Sequence, residues 1–500
     1  MNKPLICMTL TGKTLSEDQK LVKKYEKQID MVELRVDHLN EDEQLYVKRF
    51  PSLINLPCLL TIRRDVDGGL FTGGEFSRTS LFGRALAFAN PDKSKNFAYV
   101  DFEEDYHIPS IQDAAMSFGV RIIRSYHNMT EPVLNLKERC EQMRKTGYEI
   151  PKIAFMPHSI SDVQNMFKEG DSMTEYEHIF CAMGVEGFPS RVLSTFANSF
   201  LTYVSPEEML ANTNNIGHID PLTLNELYNF RSITRNTKLF GIIGWPLTKI
   251  FSSVIQNIGY RQLNLDDVYI PVRSKSLSQA IEFCEYMGFK GVTVADPYKE
   301  SVMLYLNEHS PEVIQMGVCD TLVRKNNKWI GYNSDSIGFR KALLEFLGTQ
   351  NLKRKRVAVL GDTPNANMAV YVLKQLGAKV CIFGKTLDKI QYISEKYNCD
   401  FYQLDAHCIE PLDEYSYLIV QTTVFEKVDS SSQYYENDPI SFYSFRGNEL
   451  LFDFNFSVPI TELMKRASLA GCRTCNGSKM FEYHAYEQFK LFTGCDYKSL

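Results

Sequence analysis

Ile150-Pro151-Lys152-Ile153-Ala154-Phe155-Met156-Pro157 places one charge inside a run that otherwise reads as a buried strand. An ammonium taken out of water is penalised in its charged form, which favours the neutral amine that attacks carbonyls. Lys152 is therefore a candidate Schiff-base nucleophile. The plainer alternative is a lysine at a strand end whose stem packs and whose head reaches water. The octapeptide leaves both open, and the residues around it must decide.

Outward from this run, short apolar and β-branched stretches recur at 5–10, 31–36, 56–62, 97–103, 120–126, 150–156, 178–183 and 200–204. Helix-like stretches at 16–28, 80–89, 133–145 and 161–168 fall between them, the alternation expected of strands in a parallel sheet. Eight such units in about 205 residues make a small (β/α)8 barrel.

In that fold the chemistry sits at the C-terminal ends of the strands. The second strand would end Glu33-Leu34-Arg35-Val36-Asp37, and alternation puts Glu33 and Arg35 on one inward face. Thr61-Ile62-Arg63 with Asp67-Gly68-Gly69 closes the third, Ser125-Tyr126-His127 the fifth, and Met183-Gly184-Val185-Glu186-Gly187-Phe188-Pro189-Ser190-Arg191 follows the seventh. Each has a bland reading. His127 suits a satisfied strand-end histidine, Glu33 and Arg35 a structural ion pair, and Arg191 a helix surface. A random surface would not gather them all on one rim, and the joint placement favours a catalytic mouth.

These segments resemble type I 3-dehydroquinate dehydratase over about the first 230 residues, through Glu33 to Asp37, Thr61 to Arg63 with its Gly-Gly, Ser125 to His127, Lys152 to Met156 and Met183 to Arg191, all in order. The resemblance implies that Lys152 forms an imine with the ketone of 3-dehydroquinate. The protonated imine is an electron sink that acidifies the adjacent C–H, and His127 removes that proton and returns one to the leaving hydroxyl. Arg191 would clamp the substrate carboxylate, while Glu33, Arg35, Arg63 and Met183 shape the pocket. Asp67 stands where the family carries a histidine-orienting glutamate and is one methylene shorter. Ile216-Gly217-His218 stands where it carries Pro-Gly-Gln in a closing loop, which makes His218 the candidate lid contact.

After Asn229-Phe230-Arg231 a polar stretch at 232–238 reads as a linker, and Leu239-Phe240-Gly241-Ile242-Ile243-Gly244 opens a new pattern. Further on, a strand-like 356–361, a helix-like 367–376 and a strand-like 379–383 read as a β-α-β unit of nucleotide-binding type. Its turn, Gly361-Asp362-Thr363-Pro364-Asn365-Ala366-Asn367, holds one glycine, a proline without an N–H and an acid that repels phosphate. Spacing alone does not make it a cofactor site.

Residues from about 238 to 500 nevertheless resemble shikimate dehydrogenase, in the order of the fused bifunctional enzymes of plants and some bacteria. Pro297-Tyr298-Lys299, Gly331-Tyr332-Asn333-Ser334-Asp335 and Asn476-Gly477-Ser478-Lys479-Met480 carry the match. The resemblance implies that Lys299 and Asp335 bind the reacting hydroxyl and handle its proton. Other motifs have changed. Ser-x-Ser appears as Ile250-Phe251-Ser252, Asn-Thr as Asp320-Thr321, Asp-x-x-Tyr as Asp453-Phe454-Asn455-Phe456, Gln-Ala as His484-Ala485, and the NADP-reading Asn-Arg-Thr as Gly384-Lys385-Thr386. Each lost donor costs about 1–3 kcal/mol where a buried group goes unsatisfied. Ser252, Asn333 and His484 are the candidate substrate contacts, and Gly361, Asn365, Ala366, Lys385 and Thr386 the candidate NADP contacts.

The expected architecture is thus α/β. A TIM barrel at 1–231 precedes a two-lobed module, with 238–338 and 456–500 as substrate lobe and 339–455 as a Rossmann-type lobe. The expected function is dehydration of 3-dehydroquinate, which needs no cofactor, followed by NADPH-dependent reduction to shikimate. The alternatives keep the dehydratase and make the second half an oxidoreductase of altered substrate or a non-catalytic scaffold.

Composition fits. The 500 residues, 44% hydrophobic and 23% charged, are globular material, and a net charge of −6 with scattered Lys and Arg argues against nucleic-acid or membrane-surface partners. Small molecules are the expected partners. The N-terminal apolar stretch soon meets Lys13, Glu17 and Asp18 and reads as neither signal nor anchor, giving a cytoplasmic expectation that the 12 dispersed cysteines suit. Cys472-Arg473-Thr474-Cys475 lacks the further soft ligands a zinc site needs, and no metal is expected.

Overall fold

The computed structural model describes residues 3–87, 90–213, 216–247, 251–423 and 438–498; Phe88 and Ala89 of the expected helix 80–89 and Ile250 of the expected carboxylate motif lie outside them. The chain divides into two compact units, Met1–Phe289 and Lys290–Leu500.

In the first unit, eight parallel strands, β1 (Leu5–Leu10), β2 (Met31–Arg35), β3 (Cys58–Thr61), β4 (Tyr99–Glu103), β5 (Arg121–Asn128), β6 (Ile150–Phe155), β7 (Ile179–Ala182) and β8 (Leu201–Val204), follow the order β7-β6-β5-β4-β3-β2-β1-β8. Closure between β7 and β8 rests on one bridge, His178 to Ser199, where the Phe200 N–H donates to His178 O at 2.7 Å. The ring is therefore a barrel closed by a single stitch. The expected strand spans are met within two residues at every end. The expected helix 80–89 instead runs Gly74–Leu86.

Alternation sorts the barrel interior into layers. Met31, Leu59, Ile123, Ile150, Ile179 and Leu201 form an apolar floor. Two residues further along each strand come Glu33, Thr61, Ser125, Lys152, Cys181 and Tyr203, and β4 adds Asp101, all of them buried. The floor keeps water out from below, and the polar ring above it opens only at the strand C-termini.

The first unit also contains β9 (Lys238–Gly244), paired in parallel with β10 (Asp267–Arg273). Helix Leu277–Met287 packs on barrel helix Ile160–Ser172, with Phe283 and Phe167 rings 6.1 Å apart and Gln164 Nε2 donating to Glu282 at 3.2 Å. This packing carries residues 238–289, expected with the second module, into the first compact unit.

In the second unit, β11 (Gly291–Val294) pairs antiparallel with β13 (Thr321–Lys325), which pairs antiparallel with β14 (Lys328–Tyr332), and β12 (Glu308–His309) runs parallel to β14. A second sheet is wholly parallel: β15 (Arg356–Leu360), β16 (Lys379–Gly384), β17 (Asp400–Gln403), β18 (Leu418–Gln421), β19 (Leu450–Asp453) and β20 (Arg473–Cys475), in the order β17-β16-β15-β18-β19-β20. That is the doubly wound dinucleotide-binding order, whose ligand crevice lies where the strand order reverses, between β15 and β18. The sheet takes in β20, and Leu463, Met464 and Ala467 of helix Glu462–Leu469 pack beneath it. Residues 456–475, expected in the substrate lobe, therefore belong to the Rossmann sheet. Among the described residues no helix is long and apolar enough to cross a membrane.

Candidate active sites

Lys152 is 5% exposed, and its Nζ lies 3.1 Å from Asp101 Oδ2, 3.9 Å from Glu33 Oε1 and 4.6 Å from the centre of the Tyr203 ring. It is neither a strand-end lysine reaching water nor a bare charge. Glu33 is fixed by the Thr9 and Thr61 hydroxyls, each 2.9 Å away. Asp101 also accepts from Ser125 Oγ at 2.5 Å and faces Arg63 at 2.7 Å, and Arg63 reaches Glu103 at 2.7 Å. Arg78, fully buried, holds the other Glu103 oxygen at 2.5 Å. Burial alone would raise Asp101, but Arg63 and Lys152 hold its carboxyl far below the usual range.

His127 lies one alternation beyond Ser125 on β5, opposite Ala154 of β6. Its Nδ1 is buried and without a hydrogen-bond partner. Burial first, then the cations Arg63 and Lys152, push its pKa well below the ordinary value, so it is a neutral imidazole with a lone pair to offer. Two more polar atoms on the same cavity wall are buried without partners, Arg191 Nε and the Tyr203 hydroxyl. Buried polar atoms are nearly always satisfied, so three orphans on one cavity mark where a ligand's polar groups belong.

The cavity gathers Glu33, Arg35, Arg63, Asp67, His127, Lys152, Met183, Arg191 and His218, every residue expected at this mouth. Their pairings differ from expectation in three places. Arg35 forks onto Asp37 at 2.9 and 2.7 Å, not onto Glu33. Asp67 accepts from Arg64 Nε at 2.7 Å, which draws it away from His127 and leaves the ring unheld by any carboxylate. His218 is tied by Nδ1 to Ser205 Oγ at 2.7 Å and stacks on Tyr203. Burial, then Arg191, keep it neutral. Asp101, Glu103 and Tyr203 escaped the sequence reading. In 99–103, Asp101 and Glu103 alternate with Val100 and Phe102, the period-two signal that could have placed them inside.

The second constellation lies wholly within the second unit. Lys299, in the loop after β11, donates to Asp335 Oδ2 at 2.6 Å and to Asn365 Oδ1 at 3.3 Å. Asp335 opens helix Ser334–Leu347, and its Oδ1 lies 3.0 Å from His484 Nδ1. Asp320 accepts from the Ser334 N–H at 3.0 Å, the Asp335 N–H at 2.8 Å, Ser334 Oγ at 2.6 Å and Thr321 Oγ1 at 2.5 Å, satisfying a helix N-terminus with a buried carboxylate. Gln488 bridges Thr321 to Thr293. Burial would lift Asp335, but Lys299 and then His484 hold it far down; Lys299 is held up by Asp335 against the pull of its own burial.

Asp320, Asp335 and His484 bring ligand atoms within 4.8 Å of one another, a spacing that suits a divalent cation, but the Lys299 ammonium already supplies positive charge to Asp335. Two further expected substrate contacts, Asn333 and Ser252, are buried. Asn333 spends its side chain as the cap of helix Ser334–Leu347, accepting from the Ser336 N–H at 2.8 Å and donating to Val318 O at 3.1 Å. Ser252 is buried in the first turn of helix Phe251–Gln262, in the first unit.

The expected cofactor residues sit at the switch point. Gly361 has φ +132°, and a Cβ there would stand 2.4 Å from Thr422 Oγ1, so only glycine lets β15 turn into helix Pro364–Gln375 beside β18. Thr363 Oγ1, at the N-cap of that helix, is buried without a partner, and Asn365 and Ala366 lie in its first turn. Strand, glycine turn and helix fit a dinucleotide pyrophosphate. The far end fits less well. Asp362 Oδ2 accepts the Thr386 N–H at 2.8 Å, setting a carboxylate beside the exposed Lys385 and Thr386. An acid there welcomes ribose hydroxyls and opposes an added phosphate.

Two families match the chain: "Type I 3-dehydroquinase" over residues 6–235, and "Shikimate dehydrogenase substrate binding domain" over residues 242–322. A bifunctional 3-dehydroquinate dehydratase/shikimate dehydrogenase of Arabidopsis thaliana, described as chloroplastic, is 28% identical over 520 residues, covering 99% of this chain and 82% of the relative. A shikimate dehydrogenase (NADP(+)) of Bacillus mycoides is 30% identical over 264 residues, 52% of this chain and 93% of the relative. The crystal structure of shikimate dehydrogenase from Aquifex aeolicus superposes with a TM-score of 0.47 at 28% identity, over 53% of this chain and 96% of that one.

Proposed function

The chain belongs through its C-terminal half to the shikimate dehydrogenase family and through its N-terminal half to the type I 3-dehydroquinases, and on that premise we propose that it runs two successive steps of the shikimate pathway. The first is Schiff-base dehydration of 3-dehydroquinate to 3-dehydroshikimate. The second is NADPH-dependent reduction of that product to shikimate. The working division follows the family matches, 6–235 and from 242 onward, and cuts across the packing that groups 238–289 with the barrel.

The observation that carries the first step is Lys152 buried beside Asp101, with neutral His127 on the neighbouring strand of the same cavity. Lys152 adds to the ketone and loses water to give the imine, whose positive charge Asp101 and Glu33 stabilise where the ammonium had been. His127, kept neutral, takes the proton from the carbon next to the imine and then protonates the departing hydroxyl, and water hydrolyses the product imine to release 3-dehydroshikimate and restore the Lys152 amine. Arg191, with its Nε unengaged, takes the substrate carboxylate, and the Tyr203 hydroxyl and His218 meet the ring hydroxyls. Borohydride added with 3-dehydroquinate should fix a covalent adduct on the wild-type chain and none on Lys152→Met. An adduct surviving in that variant would remove Lys152 from the mechanism.

In the second half, Lys299 and Asp335 hold the reacting oxygen and pass its proton. Gly361, Asn365, Ala366, Lys385 and Thr386 would hold the dinucleotide, and NADPH when bound supplies the hydride. Shikimate oxidation followed by absorbance, with Lys299→Ala as control, tests the step; no turnover by a folded chain that binds dinucleotide would leave the altered-substrate reading. All twelve cysteines are free, which supports a reducing compartment such as the cytoplasm.

A further inference from the structure

We propose that His484 is a positioning residue of the C-terminal site, an imidazolium that holds Asp335 against Lys299 and ties the chemistry there to a third ionisation. The inference rests, in its kinetic arm alone, on the dehydrogenase reading of that half.

Hydrogen-bond counting fixes where the proton is. Ser334 Oγ has one hydrogen and three polar neighbours, Asp320 Oδ1 at 2.6 Å, Thr321 Oγ1 at 2.9 Å and His484 Nδ1 at 3.0 Å. Thr321 spends its own hydrogen on Asp320 at 2.5 Å, and the carboxylate, nearest to Ser334 and acceptor-only, takes the Ser334 hydrogen as well. Towards His484 Nδ1, 3.0 Å away, Ser334 can then only accept. Asp335 Oδ1, also 3.0 Å from Nδ1, accepts as well. Two acceptors face one ring nitrogen, and Nδ1 carries the hydrogen. The two Asp335 oxygens are thereby divided, Oδ1 to His484 and Oδ2 to Lys299, which leaves the carboxylate no rotation.

Charge counting gives the second proton. The groups facing His484 are Asp335 on helix Ser334–Leu347, Asp320 ahead of β13 and Lys299 after β11. Two carboxylates against one ammonium leave a buried negative charge, and a protonated His484 cancels it. Burial by itself would depress the imidazole, but Asp335 and then Asp320 raise it above its ordinary value. Burial and Asp335 push Asp320 upward, and its four donors hold it as an acceptor.

Backbone geometry is built for this contact. Gly338 lies where helix Ser478–Thr493 crosses helix Ser334–Leu347, and a Cβ there would come within 2.8 Å of His484 N and 3.0 Å of its Cβ. The missing side chain is what lets His484 reach Ser334 and Asp335.

The test is nitrogen-15 NMR of the full chain labelled at its histidine rings, from pH 6 to 9, with the His484 signals identified by their loss in His484→Gln or, should that variant fail to fold, in His484→Asn. The expected result is both ring nitrogens protonated well past the ordinary midpoint of about pH 6.5, with the midpoint falling in Asp335→Asn. A neutral ring at pH 7 overturns the proposal. In the kinetic arm, NADPH-dependent reduction should lose an alkaline limb at that midpoint when His484 becomes Gln, with kcat down about tenfold and KM changed less. A profile of unchanged shape overturns it. Absence of hydride transfer in the wild type would count against the dehydrogenase reading, and the NMR result would still decide His484.

Discussion

Replacing Asp101 by Asn removes one negative charge from the centre of the barrel while keeping its shape, and it should be among the most damaging single-atom exchanges in the first unit. Asp101 is 1% exposed, Arg63 3% and Lys152 5%, so solvent screens little. At 2.7 and 3.1 Å the two cations attract it by about 5–6 kcal/mol each at an effective dielectric of about 20. Desolvation of three charges offsets much of that sum. What remains when one partner of a buried network is removed is about 3–5 kcal/mol, because Arg63 keeps Glu103 and Lys152 keeps only Glu33 at 3.9 Å.

The assay is urea unfolding of the full chain read at one tryptophan. The chain has two, Trp245 in the first unit and Trp329 in the second, so a Trp329→Phe background leaves a reporter of the first unit alone. The transition should move down by about 1–2 M urea. The pH dependence carries a sign. Asp101 has a folded pKa far below its unfolded value, so its contribution is complete above about pH 4 and fades as pH falls towards the folded value. The gap between wild type and Asp101→Asn should hold constant from pH 7 to 5 and narrow only below. A loss under about 1 kcal/mol, or a gap that closes near neutrality, would refute the claim that this carboxylate anchors the site.

His127→Gln should lower dehydratase kcat by about 10²–10⁴ while the borohydride adduct on Lys152 still forms, and loss of both would reassign His127 to structure. Because His127 is pushed well below its ordinary pKa, wild-type dehydration should be undiminished at pH 6 and fall only on further acidification, as a pH–rate profile will read. Asp362→Gly should tighten NADPH binding about tenfold, ~1.4 kcal/mol, and weaken NADH, whose ribose hydroxyls lose their acceptor, in a fluorescence titration; changes of the same sign for both would mean the acid does not face the ribose and its added phosphate. Gly338→Ala should cost about 1–3 kcal/mol in the Trp329-reported transition, since its Cβ would meet Met480 O at 2.6 Å and His484 N at 2.8 Å.

The barrel was legible because every strand alternates over a short run, and its polar layer follows from the same period as its floor. Partners were less so. Glu33 with Arg35 is a sensible pair by spacing and Asp67 with His127 is the pair the resemblance implies, yet Arg35 turns to Asp37 and Asp67 to Arg64, choices set by loops whose course no periodicity records. Asn333-Ser334-Asp335 could have been read as a helix cap, since Asn followed by a helix with an early acid is a start signal. The contact of His484 with Ser334 spans 150 residues and hangs on one glycine inside a helix, the sort of position that sequence marks as a weakness and structure explains as a crossing point.

Both halves solve one problem, a buried lysine that must stay in place while a proton moves. In the barrel, Asp101 gives Oδ2 to Lys152 and Arg63 and Oδ1 to Ser125; in the second unit, Asp335 gives Oδ2 to Lys299 and Oδ1 to His484. The lysine is visible in sequence, but the atom on the far side of its carboxylate is what fixes it. This bears on whether the altered residues of the second half mark decay. Asp320 and His484 stand where the resembled family carries neutral Asn and Gln. Asp320 alone would bury an uncompensated charge at a cost of several kcal/mol. With His484 protonated within the same cluster the two changes cancel, and the Lys299–Asp335 pair keeps its 2.6 Å contact. Drift has no reason to alter two positions 164 residues apart in a way that balances at one carboxylate, whereas a site still holding that carboxylate for chemistry does.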